Sequence, residues 1–159
     1  MLIYEIVENF ERRKLKYAIV GGYALALHGL VRATVDVDLV LRLKQSDFEL
    51  AEKILAELGL RSRLPIRAQD VIKMRSEYIE NRNLIAWSFV DYQDPSRQVD
   101  ILITEELTNL EVERVSVGGR KISVASLKEI LRMKKSSARP QDLVDIKNIQ
   151  EKINGKTSS

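Results

Sequence analysis

The stretch from Gly21 to Leu39 constrains the chain most: Gly-Gly-Tyr-Ala-Leu-Ala-Leu-His-Gly-Leu-Val-Arg-Ala-Thr-Val-Asp-Val-Asp-Leu. An apolar run, Tyr17-Ala18-Ile19-Val20, enters it as a strand and breaks at Gly21-Gly22, after which Tyr23 to Leu27 read as a short helix. Adjacent glycines let the backbone approach a ligand closely. The helix behind them aims free N–H groups at the same point, so the corner is a cradle for phosphates. Asp36-Val37-Asp38 follows on the next strand. Alternation sends Asp36 and Asp38 to one face and Val37, Leu39 and Leu41 to the other. Two carboxylates on one strand face repel unless a positive charge lies between them, and a divalent cation supplies one. The alternative is a solvated face with both aspartates in water. The glycine corner upstream and the Val and Leu surroundings favour the cation.

At 159 residues, 45% hydrophobic and 31% charged, the chain suits one compact domain, expected to span residues 1–153 with a disordered tail at 154–159. No apolar run approaches a membrane span, and Met1-Leu2-Ile3-Tyr4-Glu5 carries an acid where a signal peptide is basic, so the expected location is cytoplasmic. The sequence has no cysteine and one histidine, which leaves oxygen as the ligand for any metal. A net charge of +3 says little by itself about nucleic acid.

In chain order, Leu2, Ile3, Ile6, Val7 and Phe10 recur at helical spacing. Strands are predicted at Leu15 to Val20 and Val35 to Leu43, joined through a helix that Gly29 stops. A helix capped by Ser46, with Glu49 completing the capping box, runs to Gly59. Past the basic Arg61 and Arg63 and Pro65, a short helix is expected around Val71 to Tyr78. Leu84 to Tyr92 reads as a buried strand, returning through an Asp94-Pro95-Ser96 turn into Gln98 to Ile103. In that return strand Asp100 faces away from Val99 and Ile101. Gly118-Gly119 turns a second hairpin, Val112 to Val117 with Arg120 to Val124. Ser126 and Glu129 cap a helix through Lys134, and Pro140 opens a last helix carrying Leu143, Ile146, Ile149 and Ile153. Gly155-Lys156-Thr157 is not a phosphate loop, because Gln150 stands where the leading glycine is needed.

A glycine pair after a strand, an Asp-x-Asp on the next and a third carboxylate on a later one resembles the nucleotidyltransferase superfamily typified by the DNA polymerase beta palm. The run Gly21-Gly22-x-Ala24-Leu25 with Arg32-x-Thr34-x-Asp36-x-Asp38-Leu39 is most similar to the AbiEii toxin-like nucleotidyltransferases and their small relatives. Met133-Lys134 and Arg139-Pro140-Gln141-Asp142-Leu143-x-Asp145-Ile146 are similar to the lysine and aspartate motif that follows the palm in those proteins. The resemblance implies an α/β (α+β) fold, a mixed sheet flanked by helices. It implies that Asp36, Asp38 and Asp100 hold magnesium or manganese with a nucleoside triphosphate, Asp100 also helping to deprotonate an acceptor hydroxyl. Gly21, Gly22, Arg32 and Thr34 would contact the nucleotide, Lys134 would reach the triphosphate, and Asp142 or Asp145 would orient it or touch sugar or base.

Bland readings stand beside several of these. Arg32 is more commonly a surface arginine, and Lys134 belongs to a basic helix whose charges suit a solvated face. His28 reads as a packed or capping residue. From Arg120 to Arg139 basic residues outnumber the single acid Glu129, which suits a nucleotide or an RNA backbone. The long helical C-terminal region of the larger toxins is missing, and no segment is large enough to grip a template, so polymerase activity is not expected. The acceptor is left as an RNA end, a protein hydroxyl or a small molecule such as an aminoglycoside. The competing reading is a catalytically silent binding protein of the same fold, such as a toxin–antitoxin partner.

Overall fold

The structure is a computed structural model that describes residues 1–31, 33–137 and 139–157. Seven strands form one sheet in the order β3-β4-β5-β2-β1-β7-β6. They are β1 (Ala18–Val20), β2 (Val37–Val40), β3 (Arg61–Ser62), β4 (Ala86–Asp91), β5 (Asp94–Leu102), β6 (Val112–Val117) and β7 (Arg120–Ala125). Around it lie α1 (Leu2–Arg12), α2 (Gly21–Leu27), α3 (Gln45–Glu57), α4 (Ala68–Lys73), α5 (Arg75–Arg82), α6 (Leu127–Ser137) and α7 (Pro140–Thr157). The fold is therefore a mixed sheet flanked by helices, as the sequence implies. Among the described residues no helix is long and apolar enough to cross a membrane.

The sheet is mixed at its centre. β1 runs antiparallel to β2, while β2 is parallel to β5 and β1 is parallel to β7. Val37 and Leu39 of β2 and Val99 and Ile101 of β5 are completely buried. They share a core with Phe48 of α3 and Trp87 of β4, whose rings stack at 5.9 Å, and Phe89 meets Trp87 edge-on at 4.6 Å. Trp87 also satisfies its indole N–H by donating to Ser62 Oγ at 3.1 Å. Each such large side chain contributes about 1.5–3 kcal/mol of burial. That investment in one face pins the register, because a one-residue slip of β2 or β5 would exchange Val and Ile for Asp in the core.

Several boundaries differ from the sequence expectation. β1 is three residues long, and β2 begins at Val37, so Asp36 stands in a bend just before the ladder. Pairing to β5 starts at Val37 with Val99, while Val35 remains 60% exposed. α3 starts at Gln45 without a side-chain cap, so Ser46 is not its N-cap; Asp47 instead binds the Arg42 guanidinium at 2.7 and 3.1 Å. The helix expected around Val71 to Tyr78 is two helices broken at Met74. The first hairpin turns at Tyr92-Gln93, with Asp91 opposite Asp94, and Pro95 lies inside β5.

Other local signals are realised. Gly118 and Gly119 both take positive φ (56° and 79°), as a tight two-residue hairpin needs. Ser126 Oγ accepts from Glu129 N–H at 3.4 Å, but the Ser126 N–H donates to Glu111 O, so only half of the expected capping box forms. His28 is buried with Nε2 2.8 Å from Ala125 O, a packed residue. One expectation differs: α7 extends to Thr157, so residues 154–157, expected in a disordered tail, continue the helix, and 158–159 lie outside the described residues.

Candidate active site

Register pairs Val20 with Asp38 and Asp38 with Asp100, so the strand end that leads into Gly21 and two of the three carboxylates form one row across β1, β2 and β5. Partners in register share a face. Asp36, in its bend, joins them from the preceding row. The three aspartates thus lie on the sheet face opposite the Val37, Leu39 and Ile101 core, Asp38 and Asp100 side by side.

Gly21 is required here for two reasons. Its φ is +68°, and a Cβ at that position would lie 2.2 Å from Asp38 Oδ2. A Cβ on Gly22 would lie 2.6 Å from Thr34 Oγ1, so the loop before Asp36 packs directly on the second glycine. Thr34 in turn reaches the Asp36 carbonyl at a long 3.4 Å. Gly21→Ala is expected to cost about 2 kcal/mol from backbone strain and the displaced carboxylate together. Thermal melting checks this, and an unchanged Tm would mean that the corner is not tight.

A cleft of about 640 Å³ opens over this corner. Gly21, Gly22, Thr34, Asp36 and Asp38 form one side, and α6 supplies the other through Met133, Lys134 and Ser137. Ile85 and Leu102 give it an apolar end. Asp38 carries the strongest electrostatic signature in it. Burial, then the charge and hydrogen bonding of Asp100, then Asp36, push its carboxyl up to about 7, against the opposing charge of Lys134. Asp36 is also raised, by burial and by Asp100, with Arg63 opposing.

Lys134 stands on the cleft wall with Nζ 3.2 Å from Asp142 Oδ1 and 3.1 Å from Asp145 Oδ2. Asp142 is completely buried behind it and does not line the cleft. Besides Lys134, its carboxylate accepts from Ser137 Oγ, from the Arg139 N–H (3.2 Å) and from Arg139 Nε (3.2 Å). Burial alone would raise its pKa, but these donors more than offset it and leave the group well below the ordinary carboxylate range. Asp142 therefore ties α6 to α7 behind Lys134, where the sequence reading has it touching the nucleotide, and its carboxylate is not exposed to the cleft. Arg32 lies outside the described residues.

Two neighbours of the carboxylates were not singled out in the sequence. With its amide turned to satisfy both sides, Gln98 donates to Asp36 Oδ1 at 3.1 Å and accepts from an Arg63 guanidinium N–H at 3.1 Å. Gln98 was findable, since it precedes Asp100 by two residues on the same strand face. Arg63 comes from a distant segment and carried no local signal.

Among the described residues, no three carboxylate or histidine groups stand together as a finished cation cage. The donor set is instead a crowded pair, Asp38 and Asp100, with Asp36 beside it at an open cleft. Magnesium suits such a sparse set, because it is commonly held by one or two carboxylates plus substrate phosphates and water.

No family model matches the sequence, and none of the curated proteins matches it. Solved structures do match. The antibiotic-resistance factor ANT(2'')-Ia superposes with a TM-score of 0.62 at 16% identity over 96% of this chain and 85% of that one. The lincosamide antibiotic adenylyltransferase LnuA gives 0.63 at 15% identity over 93% and 94%. TM1012 from Thermotoga maritima gives 0.60 at 15% identity over 96% and 91%. At these identities the likeness is one of architecture, and it extends over nearly the whole chain in each case. The seven-stranded mixed sheet flanked by helices thus has the fold of these nucleotidyltransferase structures.

Proposed function

We propose that this protein transfers a nucleoside monophosphate from a nucleoside triphosphate to a hydroxyl acceptor, the acceptor oxygen bonding to the α-phosphorus as its bond to the β-phosphate oxygen breaks and pyrophosphate leaves, with magnesium or manganese bound at Asp38 and Asp100 and completed by Asp36. The observation that carries the reading is the Asp38–Asp100 register pair beside Gly21, where a glycine is needed to make room for the Asp38 carboxylate. The fold it shares with antibiotic adenylyltransferases supports the same chemistry. The AbiEii toxin-like proteins are the family we take the Gly21 to Leu39 motif to resemble.

The bound cations would stabilise charge on the attacking and leaving oxygens of an in-line displacement. The chain's own contributions are positional. The backbone at Gly21 and Gly22 leaves room for phosphate oxygens at the start of α2, and Thr34 closes the far side of that corner. Lys134, aimed by Asp142 and Asp145, places one cation on the opposite wall, where it would meet the triphosphate. Asp100 lies one strand further out and would accept the acceptor's hydroxyl proton. Among the described residues the cleft's apolar end at Ile85 and Leu102 offers a surface for a base or sugar ring.

The direct test incubates the protein with each labelled nucleoside triphosphate, magnesium or manganese, and a panel of acceptors including RNA, cell extract and small hydroxyl compounds. Labelling of one acceptor is the expected result. Magnesium with a triphosphate should also raise Tm more than either alone, by several degrees at saturating ligand. Neither labelling nor a thermal shift at millimolar ligand would leave the silent binding-protein reading in its place.

A further inference from the structure

The row Val20–Asp38–Asp100 does not stop at Asp100. Asp100 is paired with Ser88 on β4, and Ser88 O accepts from the Arg63 N–H at 2.9 Å, just past the end of β3. One line of residues thus crosses the sheet from the phosphate corner, through the carboxylates, to an arginine two strands beyond Asp100, about 10 Å at ordinary strand spacing. Parity places Ala86, Ser88, Val90 and Gln98 on this same outer face. Val90 is buried, but Ala86, Ser88 and Gln98 are partly exposed, so the face leaves a shelf of small, neutral side chains beside Asp100. Arg61, paired with Val90 in register, shares the face with Arg63. Both arginines are exposed, and among the described residues neither makes an ion pair. The next carboxylate along β5 on that parity, Asp94, is six residues or about 20 Å from Asp100.

We infer that this shelf receives the acceptor, and that the acceptor is a hydroxyl compound bearing a phosphate, which Arg63 binds with help from Arg61. The inference rests on the transferase reading for its other end. The glycine corner and Lys134 put the triphosphate on the β1 side of the carboxylates, and an attacking oxygen in line with the leaving group must then come from the β5 side. A guanidinium on that side matches phosphate geometry with a rigid fork of donors. It also opposes a polycation, so an aminoglycoside is the wrong acceptor for this chain even though ANT(2'')-Ia shares its fold and has been seen with adenylyl-2''-tobramycin. Gln98 holds the Arg63 guanidinium within reach of the reacting centre rather than letting it extend into solvent.

The test is binding first and transfer second. Calorimetry measures a short oligoribonucleotide, glucose 6-phosphate, glucose and tobramycin against wild type, Arg63→Gln, Arg63→Lys and Arg61→Gln, with Tm recorded for each variant. Wild type is expected to bind at least one phosphate-bearing probe at least ten-fold more tightly than glucose, and to bind tobramycin least. Arg63→Gln is expected to erase that preference at unchanged fold, Arg63→Lys to keep part of it, and Arg61→Gln to weaken it about three-fold. The oligoribonucleotide and sugar-phosphate arms separate a nucleic-acid end from a small phosphate ester. An arginine that merely positions Asp36 would leave the preference for phosphate unaltered, and that result overturns the proposal. So does failure of every phosphate-bearing probe to bind, or transfer to tobramycin in preference to them. Phosphate-selective binding without any transfer would instead sink the transferase reading and leave the shelf standing.

Discussion

Asp38→Asn is expected to reduce nucleotidyl transfer by roughly a thousand-fold or more while producing a protein that folds. The change keeps the size of the side chain but removes a full negative charge from the pair that would hold the cation, so the loss should appear in the maximal rate. The same variant has an opposite effect on the metal-free protein. Asp38 is pushed up to about 7 by burial and by Asp100 and Asp36. Between the ordinary aspartate value near 4 and that value the folded state holds a proton that the unfolded chain has released, so wild-type stability falls as pH rises through this window. Above it the full penalty is present. Asparagine does not ionise, so Asp38→Asn should match wild type near pH 4 and exceed it at pH 8. The excess is on the order of 2 kcal/mol after allowing for the partial exposure of the site. Denaturant melts in chelator at the two pH values measure it, and equal stability at pH 8 would show that the carboxylates are not crowded in solution. Equal labelling by wild type and variant would end the assigned mechanism.

The second large effect concerns Asp142. Its carboxylate is buried and bound by Lys134, Ser137 and Arg139, and it lies at the elbow joining α6 to α7. Asp142→Ala leaves the Lys134 ammonium with Asp145 as its remaining ion pair among the described residues and strips the elbow of its acceptor, at a cost of about 3 kcal/mol. Because the folded-state pKa of Asp142 is depressed, its stabilisation is complete above the unfolded value and declines as pH falls below about 4. Acid unfolding of the wild type should therefore contain a component that Asp142→Ala lacks. Activity should fall as well, mainly through weaker triphosphate affinity, since Lys134 would lose its aim more than the carboxylates lose theirs. A variant as stable as wild type at pH 7, with unchanged nucleotide affinity, would remove Asp142 from the site altogether.

The two residues differ in how far their roles could be read in advance. Asp38 was legible because alternation within a few residues separates Asp36 and Asp38 from Val37 and Leu39, and because Gly21-Gly22 marks a tight corner just upstream. Lys134 and Asp142 were both visible as candidates but were read as separate ligand contacts. Their ion pair exists because α7 folds back on α6, and the spacing of eight residues across a helix break says nothing about that angle. The Asp94-Pro95-Ser96 signal for a turn was outweighed by pairing of Asp91 with Asp94, which extends β5 through Pro95 toward its N-terminal end. Asp36, expected within β2, fell outside it because the ladder starts only where Val37 and Val99 can bury together.

By itself the sequence determined the strand and helix faces, the glycine corner, the oxygen-only donor chemistry and two of the three carboxylates as a pair, all properties of neighbours within about four residues. The tertiary structure decided the rest: that Asp100 lies directly beside Asp38, that Lys134 is held from behind, and that Gln98 and Arg63 continue the row past the carboxylates. These are facts of strand order and register. Register is set by which apolar side chains from distant segments fill one core, here Val37, Leu39, Val99, Ile101, Trp87 and Phe48, and the polar face then takes whatever juxtaposition that packing imposes.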